Sequence, residues 1–153
     1  MMKKLHQQNL IIIWCSVVAL SLVSVFGYGM TVMALKGSMI VIVSGIISTI
    51  GYFLPISDSR KALILALPPA IGTLFYSWVS GGNSIPYIAN FVLLAMTATY
   101  FIEKVIISFA VPFTIISVIF GIVSPQTIAG IEYTVAGVVS RILLFGITAL
   151  ILY

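Results

Sequence analysis

Six long apolar runs, at about 10–34, 38–54, 62–79, 85–102, 105–124 and 133–153, follow one another with little between them. Each is near the ~20 residues an α-helix needs to cross a bilayer, and a spanning segment must satisfy its backbone hydrogen bonds internally. A β-barrel would instead show ~10-residue segments alternating apolar and polar side chains, and no segment here alternates in that way. The expectation is an all-α fold: a polytopic membrane helical bundle of six transmembrane helices, forming a single transmembrane domain over 1–153. Only 7% of the residues are charged, against about 25% in soluble domains. The first run, preceded by Lys3 and Lys4, exceeds the ~7–15 residues of a signal-peptide core and has no small-x-small cleavage site, so a retained helix is expected.

The breaks carry turn formers or charge: "LKGS" (35–38), "PISDSRK" (55–61), "SGGNSIP" (80–86), Glu103-Lys104 and "SPQTIAGIE" (124–132). Such short connections make consecutive helices antiparallel neighbours. With the N-terminus inside, Lys3, Lys4, Arg60, Lys61 and Lys104 are cytoplasmic and only Lys36 is outside, which favours an N-in, C-in topology. Tyr28, Tyr76, Trp78, Tyr87 and Tyr133 then fall at outer span ends, and Trp14, Tyr52, Tyr100 and Tyr153 at inner ends, as interfacial belts would.

Several function classes lose support. The net charge of +4 is scattered, whereas a nucleic-acid binder wants a clustered basic face. There is no HExxH, no Cys/His cluster, no phosphate-cradling glycine loop and no Ser/His/Asp set, so neither enzyme activity nor a metal or cofactor is expected. The lone His6, beside Lys3 and Lys4, reads as a solvated terminal residue. Cys15, the lone cysteine, reads as a small apolar side chain. No intramembrane carboxylate is available for proton coupling, and no internal repeat of the transporter kind is visible.

Within the spans, Pro68, Pro69 and Pro112 are hinge candidates, since each removes a helical hydrogen bond and permits a kink. A static kink buried against neighbours is the alternative. Ser44 with Ser48, Gly45 with Thr49 and Ala136 with Ser140 have the four-residue spacing that lets helices approach closely.

Arg141 is the residue that most needs a reason, because a charge at a helix centre costs roughly 2.5–3.5 kcal/mol. It lies eight residues beyond Tyr133, about 12 Å into the last span. Thr134, Gly137, Leu144 and Thr148 share its helical face, predicting a polar and small stripe toward the bundle. In the fourth span Asn90 enters from the same side, with Tyr87 three residues before it and Thr97 seven after. Arg141, Asn90, Tyr87, Thr97 and Thr134 are thus the candidate ligand-binding set, lining an outward-opening cavity in which the guanidinium could take a carboxylate bidentately. Satisfaction of Arg141 and Asn90 by hydroxyls or carbonyls of neighbouring helices is the competing reading.

"KKLHQQNLIIIWCS", "GGNSIPYIANFVLLAMTATYF" and "SRILLFGITALILY" together resemble the N-terminal membrane region of bacterial methyl-accepting chemotaxis proteins of the type with six membrane helices and no large extracellular domain. The pattern at Asn90, Leu94, Ala95, Tyr100 and Phe101 carries most of the likeness. The resemblance implies a multi-pass protein of the bacterial cytoplasmic membrane, a homodimer, whose last helix passes a small displacement to a cytoplasmic domain. That domain, expected to follow residue 153, would act on a histidine kinase and adaptor. A different class has similar length and topology: a small six-helix transport component, such as the substrate-binding subunit of a vitamin-type importer. A passive assembly protein is a third reading.

Overall fold

The computed structural model describes residues 2–82 and 85–153; Asn83 and Ser84, in the third predicted turn, and the side chain of Tyr28 lie outside the described residues. The described residues form α1 (Met2–Tyr28), α2 (Val32–Phe53), α3 (Asp58–Val79), α4 (Ile85–Ala98), α5 (Glu103–Val123), α6 (Gln126–Ala129) and α7 (Val135–Leu152), with no strand among them. Five of these, α1, α2, α3, α5 and α7, are long and apolar enough to cross a membrane. The fourth run is apolar too, but its helix has 14 residues, about 21 Å of rise. It stops at Ala98, where the backbone tightens to bonds from the Tyr100 and Phe101 N–H groups to the Thr97 and Ala98 carbonyls and Phe101 adopts a left-handed φ of 52°. The Glu103-Lys104 break therefore stands, with Glu103 in the first turn of α5.

The first break falls elsewhere than expected. Gly29, at φ +67°, ends α1, and Thr31 caps α2 by accepting a hydrogen bond from the Ala34 N–H at 3.2 Å. "LKGS" stays helical. Lys36 faces outward, and Gly37 lies beneath the Tyr76 ring, where a Cβ would come within 2.8 Å of the ring carbons.

α3 is the hub, packing against α1, α2, α4, α5 and α6. It is the least apolar of the five long helices and the most buried. Ala66, Ala70, Gly72, Thr73 and Ser77 give it a surface small enough for neighbours to approach. At Gly72 a Cβ would sit 2.8 Å from the Ser44 Cβ. The Ser44–Ser48 stripe thus forms the α2–α3 contact. Gly45 receives Val17 and Trp14, and Trp14 Nε1 donates to Thr49 Oγ1 at 3.0 Å. Ala136 and Ser140 are exposed and join no helix pair.

Pro68 and Pro69 lie in an unbroken α3. They remove the N–H groups that the carbonyls of Ile64 and Leu65 would have accepted. Ser48 Oγ of α2 donates to the Leu65 carbonyl at 3.1 Å and lies 3.4 Å from that of Ile64. A neighbouring hydroxyl thereby meets the backbone groups that the prolines freed, the usual condition for proline in a membrane helix. Pro112 likewise sits within a continuous α5.

The other half of the core is aromatic. Phe109 and Phe113 of α5 stack at 5.9 Å, Phe145 of α7 approaches Phe113 at 4.7 Å, and Tyr87 of α4 lies 6.0 Å from Phe113. Tyr76, Tyr87 and Tyr100 are buried inside the bundle, not in an interfacial belt. Ring area is worth more buried against other rings, provided the hydroxyl stays within reach of a polar partner. Trp78, Tyr133 and Tyr153 are exposed as a belt requires, and Cys15 faces outward from α1.

Candidate functional site

Asn90 lies one turn into α4, fully buried against α3. Its amide nitrogen donates to Thr73 Oγ1 at 2.9 Å and to the carbonyls of Pro86 and Tyr87 at 3.2 Å each. The Pro86 carbonyl, in the first turn of α4, has two lone pairs and so can accept this side chain besides a helical N–H. Asn90 joins α3 to α4 by this bond. Thr73 was not anticipated; its position on the small-residue face of α3, facing the fourth span, is the clue that the sequence offers.

Arg141 reaches from α7 to α6. Its Nη1 donates to the Ile128 carbonyl at 2.7 Å, while Ser77 Oγ of α3 donates to the neighbouring Thr127 carbonyl at 2.9 Å. These carbonyls close the C-terminal end of the one-turn α6, where a cation is favoured. Pro125 opens that turn and Gly130, at φ 92°, ends it. Tyr87 completes the link, its hydroxyl 3.5 Å from the Arg141 carbonyl and against Ser117 of α5. The structure thus connects Thr73, Asn90, Tyr87 and Arg141 across α3, α4 and α7.

Two of the predicted residues lie apart. Thr97 is buried at the opposite end of α4 and bonds the Leu94 carbonyl at 2.7 Å. Thr134 is exposed and caps α7 by accepting from the Gly137 N–H at 3.0 Å. The predicted polar stripe of α7 faces the bundle only in part: Thr134 and Leu144 are exposed, Gly137, Arg141 and Thr148 are half-buried, and the buried positions are Val138, Phe145 and Ala149. Burying Phe145 among the rings sets the rotation of the helix. Ser140, exposed, and Thr148, half-buried, bond the Gly137 and Leu144 carbonyls of their own helix, so neither hydroxyl needs a partner on another helix.

A second cluster lies at the end of the bundle that carries Lys3, Lys4, Arg60, Lys61 and Lys104. His6 is buried there, 2% exposed, contrary to the solvated residue expected. α1 begins at Met2, ahead of its apolar run, and the extra turns carry His6 between the start of α3 and the α4–α5 turn. His6 Nε2 lies 3.0 Å from Asp58 Oδ1 and Nδ1 2.9 Å from Tyr100 Oη. A carboxylate only accepts, so Nε2 carries the proton and donates to Asp58, while the Tyr100 O–H donates to Nδ1 in the neutral ring. Nearby, Lys61 stands 5.8 Å from the Tyr52 ring centroid.

Comparisons with protein-family models, with characterised proteins and with solved structures found no match to this chain.

Proposed function

We propose that this chain is the transmembrane input module of a chemotaxis-type receptor in a bacterial cytoplasmic membrane, with α7 as the helix that passes displacement onward. In this reading α4 makes the sixth crossing, and the basic end of the bundle is cytoplasmic under the positive-inside rule. The observation that carries the reading is how α7 is held. Of its 18 residues only Val138, Phe145 and Ala149 are buried, and Arg141 ties it to the carbonyl end of α6. A helix with a narrow buried face and one strong polar attachment is free to shift when that attachment changes.

Arg141 also suggests the stimulus. A guanidinium has five N–H donors, and one bond to Ile128 leaves others for a small carboxylate approaching from the α6 end. Such a ligand acts only if it favours one setting of α7 over another. The homodimer, the histidine kinase and the adaptor enter through the family resemblance, by way of a cytoplasmic domain.

The test is a chimera joining Tyr153 to the cytoplasmic domain of a characterised chemoreceptor, assayed in lipid nanodiscs with kinase and adaptor. Arg141→Met removes a charge-assisted bond of about 1.5–3 kcal/mol, so kinase output should move about tenfold or more, with Arg141→Lys between the two. Equal output from Arg141→Met and the parent would refute the proposal.

A further inference from the structure

At the basic end, a cavity of about 500 Å³ opens between the first turns of α3 and α5. Arg60 and Lys104 line it with the hydroxyl-bearing Ser57, Ser59 and Ser108, and Val105 forms part of an apolar floor. The cations are not neutralised: among the described residues neither Arg60 nor Lys104 has an ion pair. The acids nearby in sequence do not line the cavity. Asp58 is committed to His6, and Glu103 lies outside the lining. Neither α3 nor α5 has a side-chain cap at its start, and the first helical bond of α3 is donated by Lys61 to Ser57. The N–H groups before it therefore add positive potential on the same side.

Two unpaired cations and three hydroxyls around a recess at the rim of a membrane bundle match a phosphate group, which accepts from both kinds of donor. We infer that this cavity is a phosphate-binding site, taking either the phosphodiester of an anionic phospholipid headgroup or free phosphate. The inference is independent of the receptor reading. It requires only that the basic end lie at a membrane–water interface, where Leu63 and Val105 can meet the first methylenes of a lipid's acyl chains and the cations its phosphate charge. Ligand bound there would clamp the start of α3, the hub, to the start of α5.

The experiment measures retained lipid by native mass spectrometry after reconstitution in one-fifth phosphatidylglycerol in phosphatidylcholine, alongside phosphorus NMR titration with inorganic phosphate. Four proteins are compared: the parent, Arg60→Gln/Lys104→Gln, Ser108→Leu, and the control Lys3→Gln/Lys4→Gln, which loses the same charge at the same end. The first variant should weaken phosphatidylglycerol retention about 30-fold, from the attraction of two basic side chains. Ser108→Leu fills the cavity without removing charge and should weaken it comparably, while the control stays within about twofold of the parent. Loss seen with phosphatidylglycerol alone assigns the site to lipid, and the same loss with inorganic phosphate assigns it to the free anion. Equal retention by all four proteins, or equal weakening by the control, overturns the inference.

Discussion

Ser48 bears on whether two adjacent prolines bend α3. Its hydroxyl is the side-chain donor on the carbonyls that Pro68 and Pro69 free. Ser48→Ala leaves a buried carbonyl without that partner, so thermal unfolding in detergent should report a loss of about 1–2 kcal/mol. An unchanged midpoint would mean the prolines need no brace. His6 is the parallel case at the basic end, holding two elements through two ring nitrogens. His6→Ala should cost about 1–3 kcal/mol by the same assay, because the Tyr100 hydroxyl stays buried without its acceptor. His6→Gln, which can still donate and accept, should recover part of that loss. A neutral His6→Ala would mean that α1 docks through apolar contacts alone. Neither role was visible in the sequence: Ser48 appeared only as a small residue at a favourable spacing, and His6 only as a neighbour of two lysines. Both roles depend on which distant backbone group comes alongside.

At the scale of elements, the helical runs and most of their breaks were legible, because chain length against bilayer thickness and turn-forming residues act locally. The α1–α2 break was displaced since Gly29 with Thr31 makes a stronger stop than Lys36 with Gly37, which the helix accommodates. α6 was not legible at all. A four-residue helix has no periodicity to detect, and it exists here through Pro125, Gly130 and the two side chains that bond its carbonyls. The face of α7 was misread for a related reason. Polarity alone pointed Thr134 and Thr148 inward, whereas hydroxyls on a helix can be met by their own backbone, and Phe145 gains close ring packing against Phe91, Phe109 and Phe113 that lipid does not offer. Phe145→Ala should therefore loosen α7 far more than Thr148→Val. The expected costs are about 3–5 kcal/mol and under 1 kcal/mol, read from unfolding midpoints. Similar costs would mean that the rings do not set the rotation of α7.

For the whole molecule, the least apolar long helix forms the centre and the helices rich in Leu, Ile and Val form the periphery. This inversion of the soluble pattern is what a bundle in lipid requires, since tails are as apolar as leucine and only close packing and hydrogen bonds favour one helix over lipid. The bundle has two anchored ends, His6 with Asp58 and Tyr100 at one, and α6 with Ser77 and Arg141 at the other. α7 touches only the second of these polar anchors, and in the receptor reading proposed above it is the element that shifts against the rest. The most direct measurement of that claim is the distance between spin labels at Ile151→Cys on α7 and Leu54→Cys beside α2, both exposed positions, in a Cys15→Ser background. Pulsed electron resonance in nanodiscs should give a distribution that shifts by about 1–2 Å or gains a second population when Arg141→Met is added. Superimposable distributions with and without Arg141→Met would contradict the account.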